Sequence, residues 1–157
     1  MRVRNATMML TTLALALLVA ASMPGKEKPL RQSDLPAAVR RTAAELSRGA
    51  TVRGYSSEVE DGKLVYEVQL TVNGHGEDVT IAADGTVLEV EEQVALEALP
   101  AAVRDALQRK AGAGTITKVE SLTKGGKLVA YEAQLRTQGK RSEVQVGPNG
   151  ETLKHPE

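Results

Sequence analysis

The hexapeptide LPAAVR occurs twice in this chain of 157 residues, first at residues 35–40 and again at residues 99–104. Each copy is followed by similar segments, because GKLVYEVQL at 62–70 corresponds to GKLVAYEAQL at 126–135. The correspondence continues to the end of the chain with one additional residue, Ala130, in the second copy. An internal repeat of this length predicts two copies of one structural unit.

Each hexapeptide is predicted to begin a helix. Leu35, Val39 and Ala43 recur at the spacing of one helical face, and Pro36 lies at the start, where a missing N–H costs nothing. The later segments alternate apolar and polar residues, as strands with one buried face do. Asp-Gly and Asn-Gly pairs between them predict tight hairpin turns. We interpret Ala130 as a β-bulge, since one extra residue would otherwise reverse the faces of its strand.

The sequence therefore predicts an α+β fold of two tandem copies of a helix followed by a four-stranded antiparallel meander, with the helices covering one sheet face. The first unit is expected at residues 35–92 and the second at residues 93–157, within one compact domain. A flexible N-terminal segment is expected at residues 22–34. One continuous sheet and two separate sheets are both consistent with the pattern.

Residues 1–21 have the layout of a secretory signal peptide. Two arginines precede an uncharged, mostly apolar run at residues 8–21, and cleavage is expected after Ala21 or Ser22. That run is shorter than the roughly 20 residues a helix needs to cross a bilayer, so no stable membrane span is expected in the mature chain. The protein is predicted to be periplasmic or secreted. It has no cysteine, so its stability must come from burial rather than disulfides.

The balance of 20 basic and 20 acidic residues offers no electrostatic reason to bind nucleic acid. The two halves differ, however: residues 35–98 carry 5 basic and 12 acidic residues, a net charge of −7, whereas residues 99–157 carry 10 and 6, a net charge of +4. The halves could attract each other within a monomer, which we favour, or cause copies to associate head to tail.

The two series of motifs resemble the PepSY-like family. An LP..V helix start, a YE..L strand and a closing DG..L or NG..L turn each occur twice in an exported chain. The matching positions are Leu35, Pro36, Val39, Tyr66, Glu67, Leu70, Asp84, Gly85 and Leu88, and then Leu99, Pro100, Val103, Tyr131, Glu132, Leu135, Asn149, Gly150 and Leu153.

This bacterial family includes domains similar to the β-lactamase-inhibitor fold, in which the polar sheet faces of tandem units form a binding surface. The matched positions serve packing and turns, so the resemblance supplies no catalytic residues. It implies an exported binding or inhibitory module.

The polar sheet faces are the candidate partner-binding surface. Glu67 and Glu132 should lie on these faces, because strand alternation places them opposite Tyr66 and Tyr131, which are expected in the core. Tyr55 corresponds to Val119 in the other half and is expected to be exposed. The candidate residues are Tyr55, Glu67, Gln69, Glu132, Gln134 and Arg136.

No catalytic, cofactor or metal site is predicted. His75 lies in a glycine-flanked loop and His155 lies near the end, so neither is placed to act as a base on a rigid support. Acidic residues at 77–78 and at 89–92 could supply oxygen ligands to calcium. They lack EF-hand spacing, and a solvated acidic strand face is the favoured interpretation.

We therefore expect a non-enzymatic exported module that binds an envelope or extracellular protein or peptide, with modulation of a hydrolase as one role. The alternative is a sensor of a small ligand or a divalent cation in the cell envelope. A monomer is favoured over an oligomer.

Overall fold

The computed structural model describes residues 27–157, which form one continuous antiparallel sheet of eight strands in sequence order. The strands are β1 (Lys28–Leu30), β2 (Thr51–Glu60), β3 (Lys63–Val72), β4 (His75–Ala82), β5 (Val87–Gln93), β6 (Thr115–Lys124), β7 (Lys127–Thr137) and β8 (Lys140–Val146). The two helices are α1 (Ala37–Leu46) and α2 (Ala101–Ala111). The predicted signal peptide, residues 1–21, lies outside the described residues.

Each LPAAVR segment begins a helix directly after its proline, as predicted. α1 connects β1 to β2 and α2 connects β5 to β6. Both helices cover the same face of the sheet, with Val39 and Ala43 of α1 packed against β3 and β4, and Val103 and Leu107 of α2 packed against β6 to β8. No helix within residues 27–157 is long and apolar enough to cross a membrane.

The predicted fold class is wrong. The chain does not form two tandem units of a helix and four strands; it forms a single sheet whose strands divide as one before α1, four between the helices and three after α2. The sheet is continuous because β5 pairs with β6, from Glu89 opposite Lys124 to Gln93 opposite Glu120. β-Structure dominates, and the two helices are short connections on one face.

Part of the N-terminal segment expected to be flexible over residues 22–34 belongs to the fold. β1 pairs with β2, with Lys28 opposite Ser57 and Leu30 opposite Tyr55. Leu30 packs against the core beneath α1. Pairing and burial together explain why this short strand forms although its sequence shows no alternation.

The fourth strand expected around Leu153 is absent, and residues 151–157 contain no strand. In the first half the corresponding segment is β5, which contributes Val87 and Val90 to the core and has strands on both sides. The C-terminal segment has Leu153 as its one large apolar residue and also contains Pro156, which cannot donate to a ladder. This segment therefore has too little apolar surface to bury for a strand to form there.

The predicted β-bulge is confirmed. Leu122 of β6 pairs with Ala130 of β7, while Thr123 pairs with Leu128, so the ladder passes over Val129. The bulge absorbs the additional residue of the second half, and Tyr131 therefore remains on the core side of the sheet.

The predicted turns bring glycines against the helices. Gly85 has a φ of +91°, and the Thr42 hydroxyl of α1 donates a hydrogen bond of 2.7 Å to its carbonyl. Gly150 has a φ of +83°, and a Cβ added there would lie 2.5 Å from the Ala102 carbonyl oxygen of α2. Glycine is required at Gly150 for both its conformation and this close approach.

We expect Gly150→Ala to lower the free energy of unfolding by about 3 kcal/mol, since it combines left-handed strain with a backbone clash. Gly62→Ala is the matched control, because Gly62 has a φ of +75° but nothing within 4 Å of an added Cβ. The control should lose only about 1 kcal/mol. Chemical denaturation measures both values, and equal losses would contradict the close packing of this turn on α2.

Candidate functional site

The candidate site is the sheet face opposite the helices, here called the open face. Strand pairing places five of the six predicted residues on it: Glu67 and Gln69 in β3, and Glu132, Gln134 and Arg136 in β7. The β3 and β7 groups are four strand spacings apart, which is roughly 19 Å. The predicted residues therefore form two groups rather than one cluster.

Tyr55 does not belong to the open face. It pairs with Leu30 and Val68, two residues that face the helices, and it is partly buried against the core beneath α1. Its counterpart Val119 is a buried core residue, so the two positions share an environment despite their different side chains. Both residues serve packing.

Amide side chains hold the two predicted glutamates. The Gln69 amide donates a hydrogen bond of 2.8 Å to Glu67 within β3. In the β7 group, on the same face, the Gln145 amide of β8 donates a hydrogen bond of 2.9 Å to Glu132. These contacts restrict the carboxylates without neutralising their charge.

Three carboxylates, which we call the acidic centre, lie between the two groups. They are Asp78 of β4, Glu91 of β5 and Glu120 of β6, and their oxygens lie within 4.8 Å of one another. Asp78 is directly opposite Glu91 across the β4–β5 ladder. Glu120, whose exposed fraction is only 2%, is directly opposite Glu132 of β7. Like charges at such short separations repel unless something neutralises them.

Nearby cations neutralise most of this charge. Arg53 forms an ion pair with Asp78. Lys118 forms an ion pair with Glu120. On the same face, Lys124 of β6 lies 3.2 Å from Glu89 of β5. Glu91 is the one member of the acidic centre without an ion pair among the described residues.

A proton takes the place of a cation at Glu91. Burial, followed by the negative charges of Glu120, Glu89 and Glu132, raises the pKa of Glu91 to about 8. Glu91 is therefore largely protonated at neutral pH. The acidic centre thus has a balanced charge, with two ion pairs and one bound proton.

Other glutamates of the open face respond to burial in the same direction. Burial raises the pKa of Glu67 and of Glu132, and the hydrogen bonds from Gln69 and Gln145 partly oppose the shift. Burial also raises the pKa of Glu58, with a contribution from the negative charge of Glu60. The open face is consequently more negative at high pH than at low pH.

The acidic residues that the sequence offered as calcium ligands lie on two different faces of the sheet. Asp78, Glu89 and Glu91 lie on the open face, whereas Glu77 and Glu92 pair with each other on the opposite side of the sheet. Glu120 was missed, because its place next to Glu91 depends on the pairing of β5 with β6. That pairing leaves no local signal in the sequence. Strand alternation within residues 115–124 was the one clue to its face.

The centre of the open face also contains buried apolar groups. Leu122 pairs with Glu91, and Ala130 pairs with Leu122, so both lie on this face, yet they are fully buried. No helix covers them, so we infer that the stems of longer neighbouring side chains do. The Ser56 hydroxyl, across from Glu67, is also buried and has no hydrogen-bond partner among the described residues.

Comparisons with known proteins identify the fold. A protein described as a candidate periplasmic protein from Bacteroides eggerthii has a TM-score of 0.61 at 18% identity, covering 76% of this chain and 86% of its own. A DUF2874 family protein from Bacteroides ovatus has a TM-score of 0.59 at 18% identity, covering 76% and 85%. A BLIP-like protein from Bacteroides fragilis has a TM-score of 0.55 at 18% identity, covering 76% and 83%.

No protein-family model and no curated protein matches the sequence. The structural matches show a fold shared with BLIP-like and DUF2874 proteins, which supports the β-lactamase-inhibitor-like part of the predicted resemblance. They do not support the PepSY-like family specifically.

The protonated state of Glu91 predicts a pH-dependent stability. Its pKa is about 8 in the folded protein against an ordinary value of 4.5, so the folded state binds more protons than the unfolded state between these pH values. Stability should therefore fall as pH rises from about 5 to 8. Glu91→Gln should remove much of this slope and should be more stable than the wild type at pH 8, by about 2 kcal/mol. Thermal melting across this pH range measures the effect.

Glu45→Gln is the matched control, because Glu45 is exposed on α1, away from the acidic centre. This variant should keep the pH slope of the wild type. A Glu91→Gln protein with an unchanged slope would show that Glu91 is ionised in the folded state at neutral pH.

Proposed function

We propose that this protein is a non-enzymatic exported module that binds a protein or peptide of the cell envelope or its surroundings through the open face. The observation that carries the proposal is the asymmetry of the sheet. Both helices cover one face, while the other presents charged and polar side chains from β2 to β8. An uncovered face of this kind is a surface available to a partner.

The size of the open face suits a protein partner. The six strand spacings from β2 to β8 give a width of roughly 29 Å, and these strands of seven to eleven residues are about 25 Å long or more. The resulting area is roughly 700 Å², close to what one partner contributes to a standard interface. A face this broad suits a macromolecule better than a small ligand.

The composition of the open face indicates how it would bind. All three tyrosines, Tyr55, Tyr66 and Tyr131, pack on the helix side, and the chain contains no Trp and no Phe. Aromatic hot spots are therefore missing from the face. Charge complementarity would determine the choice of partner, and the affinity would fall with salt.

We also propose where the protein is located and what role it has. The apparent signal peptide supports a periplasmic or secreted location, and one structurally similar protein is described as a candidate periplasmic protein. Another is described as BLIP-like, which supports an inhibitor-like role such as modulation of a hydrolase. The absence of enzymatic activity is also proposed, because His75 at the start of β4 and His155 near the C-terminus are both exposed.

A sensor of divalent cations is the second candidate, and the acidic centre is the one observation that favours it. It ranks second because Arg53 and Lys118 already neutralise two of the three carboxylates, and a proton neutralises the third. A calorimetric titration with calcium at pH 7 distinguishes the binding module from the cation sensor. We expect neither binding heat nor a change in melting temperature. A calcium-dependent rise in melting temperature that Glu91→Gln abolishes would favour the sensor.

The proposed function predicts a face-specific interaction. Immobilised wild-type protein, in its mature form, should capture a partner from its own envelope fraction. The variant Glu45→Lys, which changes a charge on α1, should capture the same partner. The double variant Glu67→Lys, Glu132→Lys should lose that partner, because it reverses two charges on the open face. Melting curves should verify that each variant is folded.

The conservative pair Glu67→Gln, Glu132→Gln should weaken capture if charge reversal proves too disruptive. Capture that is identical for open-face and α1 variants would contradict the proposed function.

A further inference from the structure

One corner of the open face carries two arginines that form no ion pair within the described residues, 27–157. There a groove of about 380 Å³ lies across β6, β7 and β8. Its lining includes Thr117, Lys118, Gln134, Arg136 and Arg141. Lys118 is already paired with Glu120, so the two arginines supply the free positive charge of the groove.

Arg136 and Arg141 are direct partners in the β7–β8 ladder, and both are exposed. Neither guanidinium has an ion pair or a side-chain hydrogen bond within residues 27–157. Like charges directly opposite each other in a ladder destabilise it. By contrast, three other cations of the open face, Arg53, Lys118 and Lys124, lie in ion pairs with carboxylates.

Two adjacent guanidinium groups suit a particular ligand chemistry. Each presents a planar fork of N–H donors that matches the two oxygens of a carboxylate or the oxygens of a phosphate. Directly opposed residues in an antiparallel ladder have Cα atoms about 5 Å apart, so one oxyanion can contact both side chains.

We propose that Arg136 and Arg141 form an oxyanion site that binds the carboxylate of an acidic side chain on the polypeptide that occupies the open face. The inference rests on the proposed function and names one feature of the partner.

The position of the groove favours a side-chain carboxylate of the partner over a free phosphate. Gln134 and Arg136 belong both to the groove and to the open face, so a polypeptide on that face would bring its acidic side chains to the two arginines. Glu143 also lines the groove and lowers its net positive charge.

The test uses a pentaglutamate peptide with blocked termini as the probe, titrated into isotope-labelled mature protein at low salt. The side-chain N–H resonances of Arg136 and Arg141 should shift and saturate together. Arg136→Gln, Arg141→Gln should weaken binding at least about tenfold, because it removes both forks. Glu143→Gln should strengthen binding about twofold to threefold.

Two further variants separate a built site from general attraction. Arg40→Gln, Arg41→Gln removes the same charge from exposed positions of α1, and it should bind within about twofold of the wild type. Arg136→Lys, Arg141→Lys keeps the charge without the forks and should bind more weakly than the wild type. Equal losses in the two glutamine double variants would overturn the site. Tighter binding of inorganic phosphate than of pentaglutamate would overturn the assignment to a polypeptide carboxylate.

The capture experiment distinguishes this inference from the proposed function. If Arg136→Gln, Arg141→Gln captures the envelope partner as well as the wild type does, the oxyanion site is wrong while the binding module stands. If the wild type captures no partner through the open face, the proposed function is wrong even where pentaglutamate binds.

Discussion

The pairing of β5 with β6 is the interaction on which the rest of the structure depends. Five residue pairs, from Glu89 opposite Lys124 to Gln93 opposite Glu120, join the halves of the chain into one sheet. The Lys124–Glu89 ion pair lies on this seam. Without it, the open face would be two narrow surfaces, and Glu91 would not lie beside Glu120. The breadth of the candidate interface and its unusual electrostatics thus have a common origin.

One ion pair joins the two halves across that seam, between Lys124 of the basic half and Glu89 of the acidic half. The other two ion pairs of the described residues lie within one half each, Arg53 with Asp78 and Lys118 with Glu120. Arg136 of β7 and Arg141 of β8 form no ion pair within residues 27–157. The opposite net charges of −7 and +4 are therefore joined within one molecule by a single ion pair among these residues.

Local features of the fold could be predicted from the sequence because they depend on neighbouring residues. The helix starts at Pro36 and Pro100, the tight turns and the bulge next to Ala130 follow from backbone preferences that act over a few positions. The distribution of strands could not be predicted by comparing the halves. Whether a segment becomes a strand depends on whether an edge and a core are available to it, as β1 and the C-terminal segment show.

The candidate site divides in the same way. Alternation along one strand placed Glu67 and Glu132 on the correct face. Glu120 and the pairing of Arg136 with Arg141 required the register between strands, which no single strand contains. Tyr55 was misplaced because it differs from its counterpart Val119 in residue type and not in environment, and both pack on the helix side of the sheet.

The contacts of Gly85 with α1 and Gly150 with α2 limit how far the halves can diverge. Each turn lies against the backbone of the first helical turn, at Ala38 and at Ala102, where any larger group would push the turn away. Because these contacts are to backbone atoms of the helix, glycine stays required at each turn whichever side chains the hexapeptide carries. Exposed residues of the open face such as Arg136 and Arg141 lie outside these contacts, so they can change without displacing either helix.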